Sequence, residues 1–154
     1  MNYFILLFAL FLVLAISPSY GTRTRVRVYV KQSIDDQGRN DNVEMVTDIT
    51  RNGSGDDRAV TATEPIPRDR IFAGTLGRLI ANRSFSTIST PQSVSIRVTE
   101  DDGSGVSKDD GVCSLVIEAP FIIGQDVRVR CLREFNDGLE TAWNILAIVT
   151  YTAS

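Results

Sequence analysis

In residues 23–31, RTRVRVYVK, the valines at positions 26, 28 and 30 alternate with charged or polar side chains. Val26, Val28 and Val30 share one face of an extended chain, because successive side chains of a strand point to opposite sides. β-branched residues at this spacing predict a strand that is buried on one face and exposed on the other. The sequence therefore indicates a half-buried β-strand near the start of the folded domain.

Similar patterns recur along the chain, separated by polar and glycine-rich turns. Residues 70–81 (RIFAGTLGRLIA) fit a short helix or a bent strand, and their two glycines favour a bent strand or a loop. Asn136-Asp137-Gly138 is a strong turn signal, which predicts that Leu132 pairs with Trp143. Seven or eight strands without a convincing amphipathic helix predict an all-β, antiparallel β-sandwich. The other predicted strands are 43–50, 59–63, 93–98, 113–119, 126–132 and 141–151.

An apolar run of 13 residues, FILLFALFLVLAI at positions 4–16, opens the chain. A transmembrane helix needs about 20 apolar residues, whereas a shorter run at the N-terminus is typical of a signal peptide. Pro18 ends the helix that this run would form, and Ser19 and Gly21 are the small residues that a signal peptidase accepts. We therefore expect a signal peptide over 1–21 and one secreted, extracellular domain over 22–154. An uncleaved anchor is the alternative.

Secretion would allow two kinds of covalent modification of this chain, a disulfide and N-linked glycans. The cysteines Cys113 and Cys131 form an even pair, and in an oxidising compartment such a pair predicts a disulfide. A hairpin centred on Ile122 would place them opposite each other on neighbouring strands, within bonding distance. Two buried free thiols are the alternative. Sequons at Asn52 and Asn82 predict N-glycosylation if these asparagines lie on the surface.

The chain contains no histidine, and this absence removes several kinds of catalytic site. Ser-His and Cys-His nucleophile pairs depend on histidine, and so do most zinc sites. No phosphate-binding loop or dinucleotide fingerprint is present. Two carboxylates could support glycoside hydrolysis, but a domain of this size lacks room for a deep sugar cleft. We therefore expect a protein that is not an enzyme, and its net charge of −3 argues against nucleic acid as a partner.

The densest group of carboxylates lies between two predicted strands, in TEDDGSGVSKDDG at positions 99–111. Calcium binds six to eight oxygen atoms, and glycines let backbone carbonyls turn inward as additional ligands. A loop that folds back could therefore bring Glu100, Asp102, Asp109 and Asp110 together around one ion. The alternative is a solvated turn, in which Asp and Gly are common.

Residues 93–119, SVSIRVTEDDGSGVSKDDGVCSLVIEA, resemble the third calcium loop of C2 domains and its flanking strands. In that loop alternate carboxylates follow an apolar strand, and a later acid and a glycine precede the next strand. The first strand here also leads into SIDDQGRND, where C2 domains carry their first calcium loop. The resemblance implies an eight-stranded C2-like sandwich that binds calcium, and through it an acidic lipid surface or a partner protein. The implied metal ligands are Asp35 or Asp36 with Asp41 from the first loop, and Glu100, Asp102 and Asp109 or Asp110 from the third.

Basic side chains line the exposed faces of two predicted strands. If these strands are neighbours, their cations form a patch suited to anionic lipid headgroups or sulfated glycans. The alternative is a solvated face that nearby acids balance. The basic residues are Arg23, Arg25, Arg27, Lys31, Arg128 and Arg130.

Residues 121–123 (FII) either insert into a partner or cap the sandwich, at the opposite end from the acidic segment. A metal-free extracellular domain that binds protein or glycan is thus the second hypothesis, and the oligomeric state stays open.

Overall fold

The computed structural model describes residues 21–34, 42–53, 57–67, 70–87, 90–101, 110–133 and 142–153. All the regular secondary structure within these ranges is β-strand, and no helix there could span a membrane. The strands are β1 (Thr22–Ile34), β2 (Asn42–Gly53), β3 (Arg58–Pro67), β4 (Arg70–Ile71), β5 (Arg78–Thr87), β6 (Pro91–Asp101), β7 (Asp110–Glu118), β8 (Asp126–Arg133) and β9 (Ala142–Ala153).

These strands form two antiparallel sheets. Sheet A has the order β4-β1-β9-β8, and β5 also pairs with β1. Because β5 pairs with residues 22–30 of β1 and the two-residue β4 with Gln32 and Ser33, both lie on the same side of β1. Sheet B has the order β3-β2-β6-β7. The predicted antiparallel β-sandwich is confirmed, with eight strands in addition to the short β4.

The core lies between the sheets and follows the alternation of the strands. Val26, Val28 and Val30 of β1 are fully buried, as the sequence pattern predicts. They belong to the same apolar cluster as Ile49 of β2 and Ile96 of β6, so the two sheets bury their inner faces against each other.

The turn after β7 caps one end of this core. Phe121 is buried and belongs to the apolar cluster, whereas Ile122 and Ile123 beside it are exposed. The capping role foreseen for this segment therefore describes Phe121, and the two isoleucines are left on the surface. The acidic segment between β6 and β7 joins these strands at their other ends, as predicted.

Cys113 of β7 and Cys131 of β8 form the predicted disulfide, with Cα atoms 6.2 Å apart. The predicted hairpin around it is wrong, because among the described strands β7 pairs with β6 in sheet B and β8 pairs with β9 in sheet A. Both cysteines lie opposite residues that point into the core, Val98 and Ile145. They meet across the core at the edges of two sheets, not side by side within one sheet.

The opposite edges of the two sheets are also linked, by contacts between β3 and β5. Arg78 Nη2 lies 2.8 Å from Glu64 Oε1, and Arg83 Nη2 donates to the Thr61 carbonyl at 3.2 Å. A disulfide at one pair of edges and polar contacts at the other thus hold the sheets together on both sides.

Residues 70–81 form β4, a bend and the start of β5, which confirms the bent strand favoured by their glycines. Gly77 has a φ of 85°, and a Cβ at this position would overlap the Val30 carbonyl oxygen, so only glycine fits without strain. Lys31 Nζ donates to the carbonyls of Phe72 and Gly74 and holds the bend against β1.

The predicted register of the last two strands is wrong by one residue. Leu132 pairs with Asn144, and Arg133 pairs with Trp143. Leu132 is exposed whereas Trp143 is buried in the core, so the two cannot share a face. The turn signal at residues 136–138 lies outside the described residues.

Candidate functional site

Arginine side chains cover the outer face of sheet A. Arg27 on β1 and Arg128 on β8 both lie opposite Ile148 of the intervening strand β9. Directly opposed residues of a sheet share a face, so these arginines point to the same side. Strands β1 and β8 are not neighbours, yet the cations predicted on them do converge on one face. We call this surface the basic face; its charged residues are Arg23, Arg25, Arg27, Asp126, Arg128 and Arg130.

Lys31 does not contribute its charge to this face in the way the sequence suggests. It lies at an irregularity in the pairing of β1 with β9, and its ammonium is held by two carbonyls of the bend before β5. The cation therefore fixes the backbone of that bend.

Aliphatic side chains are buried beneath the arginines. Leu146 and Ile148 point away from the core, yet they are only 6% and 1% exposed. By register, Ile148 lies between Arg27 and Arg128, and Leu146 lies between Tyr29 and Arg130. Long stems of arginine can cover apolar surface while the guanidinium stays in water. The basic face thus has an apolar layer under its charges.

The part of the basic face beside the first residues of β1 and the last residues of β9 forms an open concavity of about 570 Å³. Four arginines line it, together with hydroxyl and amide side chains and a single carboxylate. Such a lining offers many hydrogen-bond donors of positive charge to a ligand. The lining residues are Arg23, Arg25, Arg27, Arg83, Asn82, Ser84, Thr150, Thr152 and Asp126.

One side of the concavity is fixed by a network around Asp126. Thr150 Oγ1 donates to Asp126 Oδ1 at 2.6 Å, and Arg27 Nη2 lies 3.0 Å from Thr150 Oγ1 and 3.4 Å from the same carboxylate oxygen. Arg128 Nη2 lies 3.6 Å from Asp126 Oδ2. The Thr150 hydrogen bond, helped by Arg27 and Arg128, lowers the pKa of Asp126 against a smaller opposing effect of burial. The carboxylate is therefore ionised and committed to these two arginines.

The other side of the concavity carries Arg23 and Arg25. Arg25 Nε donates to Asn82 Oδ1 at 3.0 Å, a neutral partner. Within the described part of the chain, neither Arg23 nor Arg25 has a carboxylate within ion-pair distance. A guanidinium presents paired N–H donors that match the oxygens of sulfate, phosphate or carboxylate groups. This side of the concavity is chemically suited to an anion.

The residues proposed for calcium divide into two groups. Asp35, Asp36, Asp41, Asp102 and Asp109 lie outside the described residues. Glu100 is described and buried at 3% exposure, and the strand register places Asp110 opposite it. Among the described residues, no group of three or more acidic, cysteine or histidine side chains is placed to hold a metal ion.

The strands that lead into the two acidic segments end close together. Glu44, near the start of β2, lies opposite Asp101 at the end of β6. The segment between β1 and β2 and the segment between β6 and β7 are therefore attached at the same end of the sandwich. This end is opposite to the concavity, which lies beside the first residues of β1.

The two predicted glycosylation sites differ in their surroundings. Asn52 is half-buried, and its Nδ2 donates to Ser93 Oγ at 2.8 Å. Asn82 is exposed and lines the concavity.

Several residues of the site escape prediction from the sequence. Arg83, Thr150 and Thr152 reach the concavity only because β5 and β9 flank β1 on its two sides. The alternation of a strand indicates which face a side chain occupies but not which strands are neighbours. One signal for the apolar layer was available, since ILAIV at 145–149 is apolar at every position and such runs mark strands buried on both faces.

Comparison with known proteins gives no family for this chain. No protein-family model matches it, and no curated protein matches it significantly. The chemistry of its surfaces therefore carries the functional argument.

Proposed function

We propose that this protein is a secreted, non-enzymatic β-sandwich domain that binds sulfated glycans through its basic face. The observation that carries the proposal is the concavity lined by Arg23 and Arg25, whose charges have no carboxylate partner among the described residues. The signal-peptide pattern at residues 1–21 and the Cys113–Cys131 disulfide support an extracellular setting.

A row of cations along one strand favours a linear polyanion as the ligand. Arg23, Arg25 and Arg27 alternate on β1, and alternate residues of a strand are spaced by about 7 Å. A sulfated glycan carries anionic groups at intervals along an extended chain, so several of them can meet this row at once. The arginine row also attracts the anionic glycan before the two make contact, and this attraction raises the rate of association.

The expectation that the protein is not an enzyme is part of the proposal. A general acid in this site would need a carboxyl group with a raised pKa, so that it keeps its proton near neutral pH. The carboxylate in the concavity is Asp126, and the pKa of its side chain is lowered. Its role is to position Arg27 and Arg128.

Heparin, a sulfated glycan, is the probe for the first experiment. We expect the secreted protein to bind a heparin column and Arg25→Glu to weaken binding by about tenfold or more, because each cation contributes about 1 kcal/mol near an anionic surface. Arg97→Glu is the matched control, since it makes the same charge change on the exposed outer face of sheet B. We expect it to change the affinity by less than about twofold.

Anionic phospholipid vesicles form the second arm of this experiment. Binding to the vesicles without binding to heparin would assign the basic face to lipid headgroups and overturn the proposal. An equal loss of heparin affinity in Arg25→Glu and Arg97→Glu would show that overall charge, and not the basic face, determines binding.

We propose calcium binding by the acidic end as a second function. The observation in its favour is the register that sets Glu100 opposite Asp110 and joins both acidic segments at one end of the sandwich. A bound calcium ion would take its remaining oxygen ligands from an acidic lipid or a partner protein. This function and glycan binding use opposite ends of the domain, so each can be tested without the other.

A ligand that binds only the folded state stabilises it, so calcium should raise the melting temperature of the protein. We expect Asp102→Asn to reduce this shift and magnesium to produce a smaller one, because magnesium gives up its water ligands reluctantly. Extracellular calcium modules have dissociation constants of up to about 1 mM. An unchanged melting temperature up to about 10 mM calcium therefore contradicts this function.

A further inference from the structure

We infer that Asn82, and not Asn52, carries an N-linked glycan, and that this glycan obstructs the arginine-lined concavity. The assignment of the glycan to Asn82 stands on the surroundings of the two asparagines alone. The second part rests on the proposed binding of sulfated glycans, because it states how that binding is regulated. Glycosylated and unglycosylated forms of the protein would then differ in their affinity for sulfated glycans.

The surroundings of Asn52 disfavour modification at that position. The glycan is attached to the amide nitrogen, and in Asn52 this atom already donates to Ser93 Oγ at 2.8 Å. Asn52 is half-buried on β2, opposite Ser93, which is itself buried. A sugar bonded to this nitrogen would replace one of its two hydrogens and would have to fit beside Ser93 on the neighbouring strand β6.

The amide of Asn82 has the opposite orientation. Its oxygen accepts a hydrogen bond from Arg25 Nε at 3.0 Å. Because a guanidinium can only donate, the oxygen of the amide must face Arg25, and the nitrogen points away from it. The side chain is exposed on the outer face of β5. The nitrogen that receives the sugar is therefore accessible without loss of the hydrogen bond.

The remainder of the sequon lies on the same face. Register sets Asn82 opposite Arg27 and Ser84 opposite Arg25, so the modified asparagine and its required serine both line the concavity. In the transfer, Asn82 Nδ2 bonds to the anomeric carbon of a lipid-linked oligosaccharide. The bond from that carbon to the pyrophosphate oxygen breaks, the lipid pyrophosphate leaves with the electron pair, and the amide nitrogen loses one proton.

A glycan in this position occupies the space that an anionic ligand needs. Its first sugar is attached at the wall of the concavity, beside the two arginines that Asn82 and Ser84 face. N-linked glycans are bulky and hydrated, and they carry no charge that would attract the guanidinium groups in their core region. The glycan thus reduces access to Arg25 and Arg27 without altering the fold.

The full chain, expressed in a secreting eukaryotic cell, provides the test of the attachment site. Ser84→Ala removes the sequon but keeps Asn82 and its bond to Arg25, and Ser54→Ala is the matched variant for the other sequon. We expect mass spectrometry to find a glycan on the wild-type chain and on Ser54→Ala, and none on Ser84→Ala. A wild-type chain without glycan, or a glycan that is lost in Ser54→Ala, overturns the assignment.

Heparin affinity provides the test of obstruction. We expect Ser84→Ala to bind heparin at least fivefold more tightly than the glycosylated wild type. An endoglycosidase that leaves one sugar on Asn82 should recover most of this difference in the wild-type chain. Equal affinities of the glycosylated protein and Ser84→Ala overturn the obstruction. If neither form binds heparin, the proposed function fails, whereas the mass measurement still decides the position of the glycan.

Discussion

The outer faces of the two sheets carry opposite charge. Among the described residues, five arginines accompany one aspartate on sheet A, whereas four carboxylates accompany Arg97 on sheet B. The net charge of −3 conceals this separation, because it sums over both faces. A mildly acidic protein can therefore present a strongly basic surface, and its partners follow from the local charge. The acids of sheet B are Glu44, Asp48, Asp101 and Glu118.

The two faces also differ beneath their charges. The central strand β9 of sheet A buries Ile148 under arginine stems, whereas Val116 on the outer face of sheet B is 59% exposed. The basic face is thus packed as well as charged, and its arginines contribute to stability through their stems. The outer face of sheet B is a solvated surface.

The most severe way to disturb the two faces is to remove the covalent link between their sheets. We expect Cys113→Ser/Cys131→Ser to lower the free energy of unfolding by about 3 kcal/mol, because the bond closes a loop of 18 residues in the unfolded chain. Urea denaturation measures the loss. Heparin affinity of the folded variant should be unchanged, since both cysteines face the core; reduction of the wild type should give the same result.

A change in the apolar layer tests the difference in packing. We expect Ile148→Ala to lower the free energy of unfolding by about 2 kcal/mol, at the low end for a buried isoleucine because flexible arginine stems can partly fill the space. Val116→Ala on sheet B should cost less than about 0.5 kcal/mol. Similar losses for the two variants in urea denaturation would mean that the arginines do not bury Ile148.

The smallest effect concerns Asp126, a carboxylate of the basic face. The pKa of Asp126 is lowered in the folded state, so its stabilisation is present above the unfolded pKa and is lost as pH falls through the folded pKa. Asp126→Asn should therefore cost less than about 1 kcal/mol at neutral pH, as for partly exposed ion pairs. Urea denaturation should show this difference shrinking as the pH falls below the usual carboxyl range and through the lowered pKa of Asp126.

Thr150→Val separates the causes of this pH dependence. The hydrogen bond from Thr150 is the largest contribution to the lowered pKa, so its removal should reduce the pH-dependent part of the stability. The same pH dependence in Thr150→Val and the wild type would assign the effect to Arg27 and Arg128 instead.

Removal of the negative charge in Asp126→Asn should also strengthen heparin binding slightly.

Local patterns in the sequence predict the fold class and the faces of single strands. The valines of β1 are buried as their spacing requires, and residues 70–81 bend at their glycines. These features depend on a few consecutive residues, whose conformational preferences do not require knowledge of distant contacts. The arginine row of β1 could therefore be read directly from the sequence.

The pairing of distant strands could not be derived in the same way. Inward-facing cysteines on two strands approach each other equally well in a hairpin or across a core, so Cys113 and Cys131 did not reveal that β7 and β8 belong to different sheets. For the same reason the sequence did not predict that Asn82 and Thr150 flank the arginines of β1. Asn82 lies 57 residues from Arg25 along the chain, and Thr150 lies 123 residues from Arg27.

The disulfide between the sheets determines what a protease could release from this domain. Ile122 and Ile123 lie exposed in the connection between the two cysteines. A cut there leaves one piece ending after β7 and another that contains β8 and β9, and the Cys113–Cys131 bond keeps them a single molecule until it is reduced. Because β9 also stays paired with β1, the nicked domain would keep its basic face. Electrophoresis would reveal the cut only under reducing conditions.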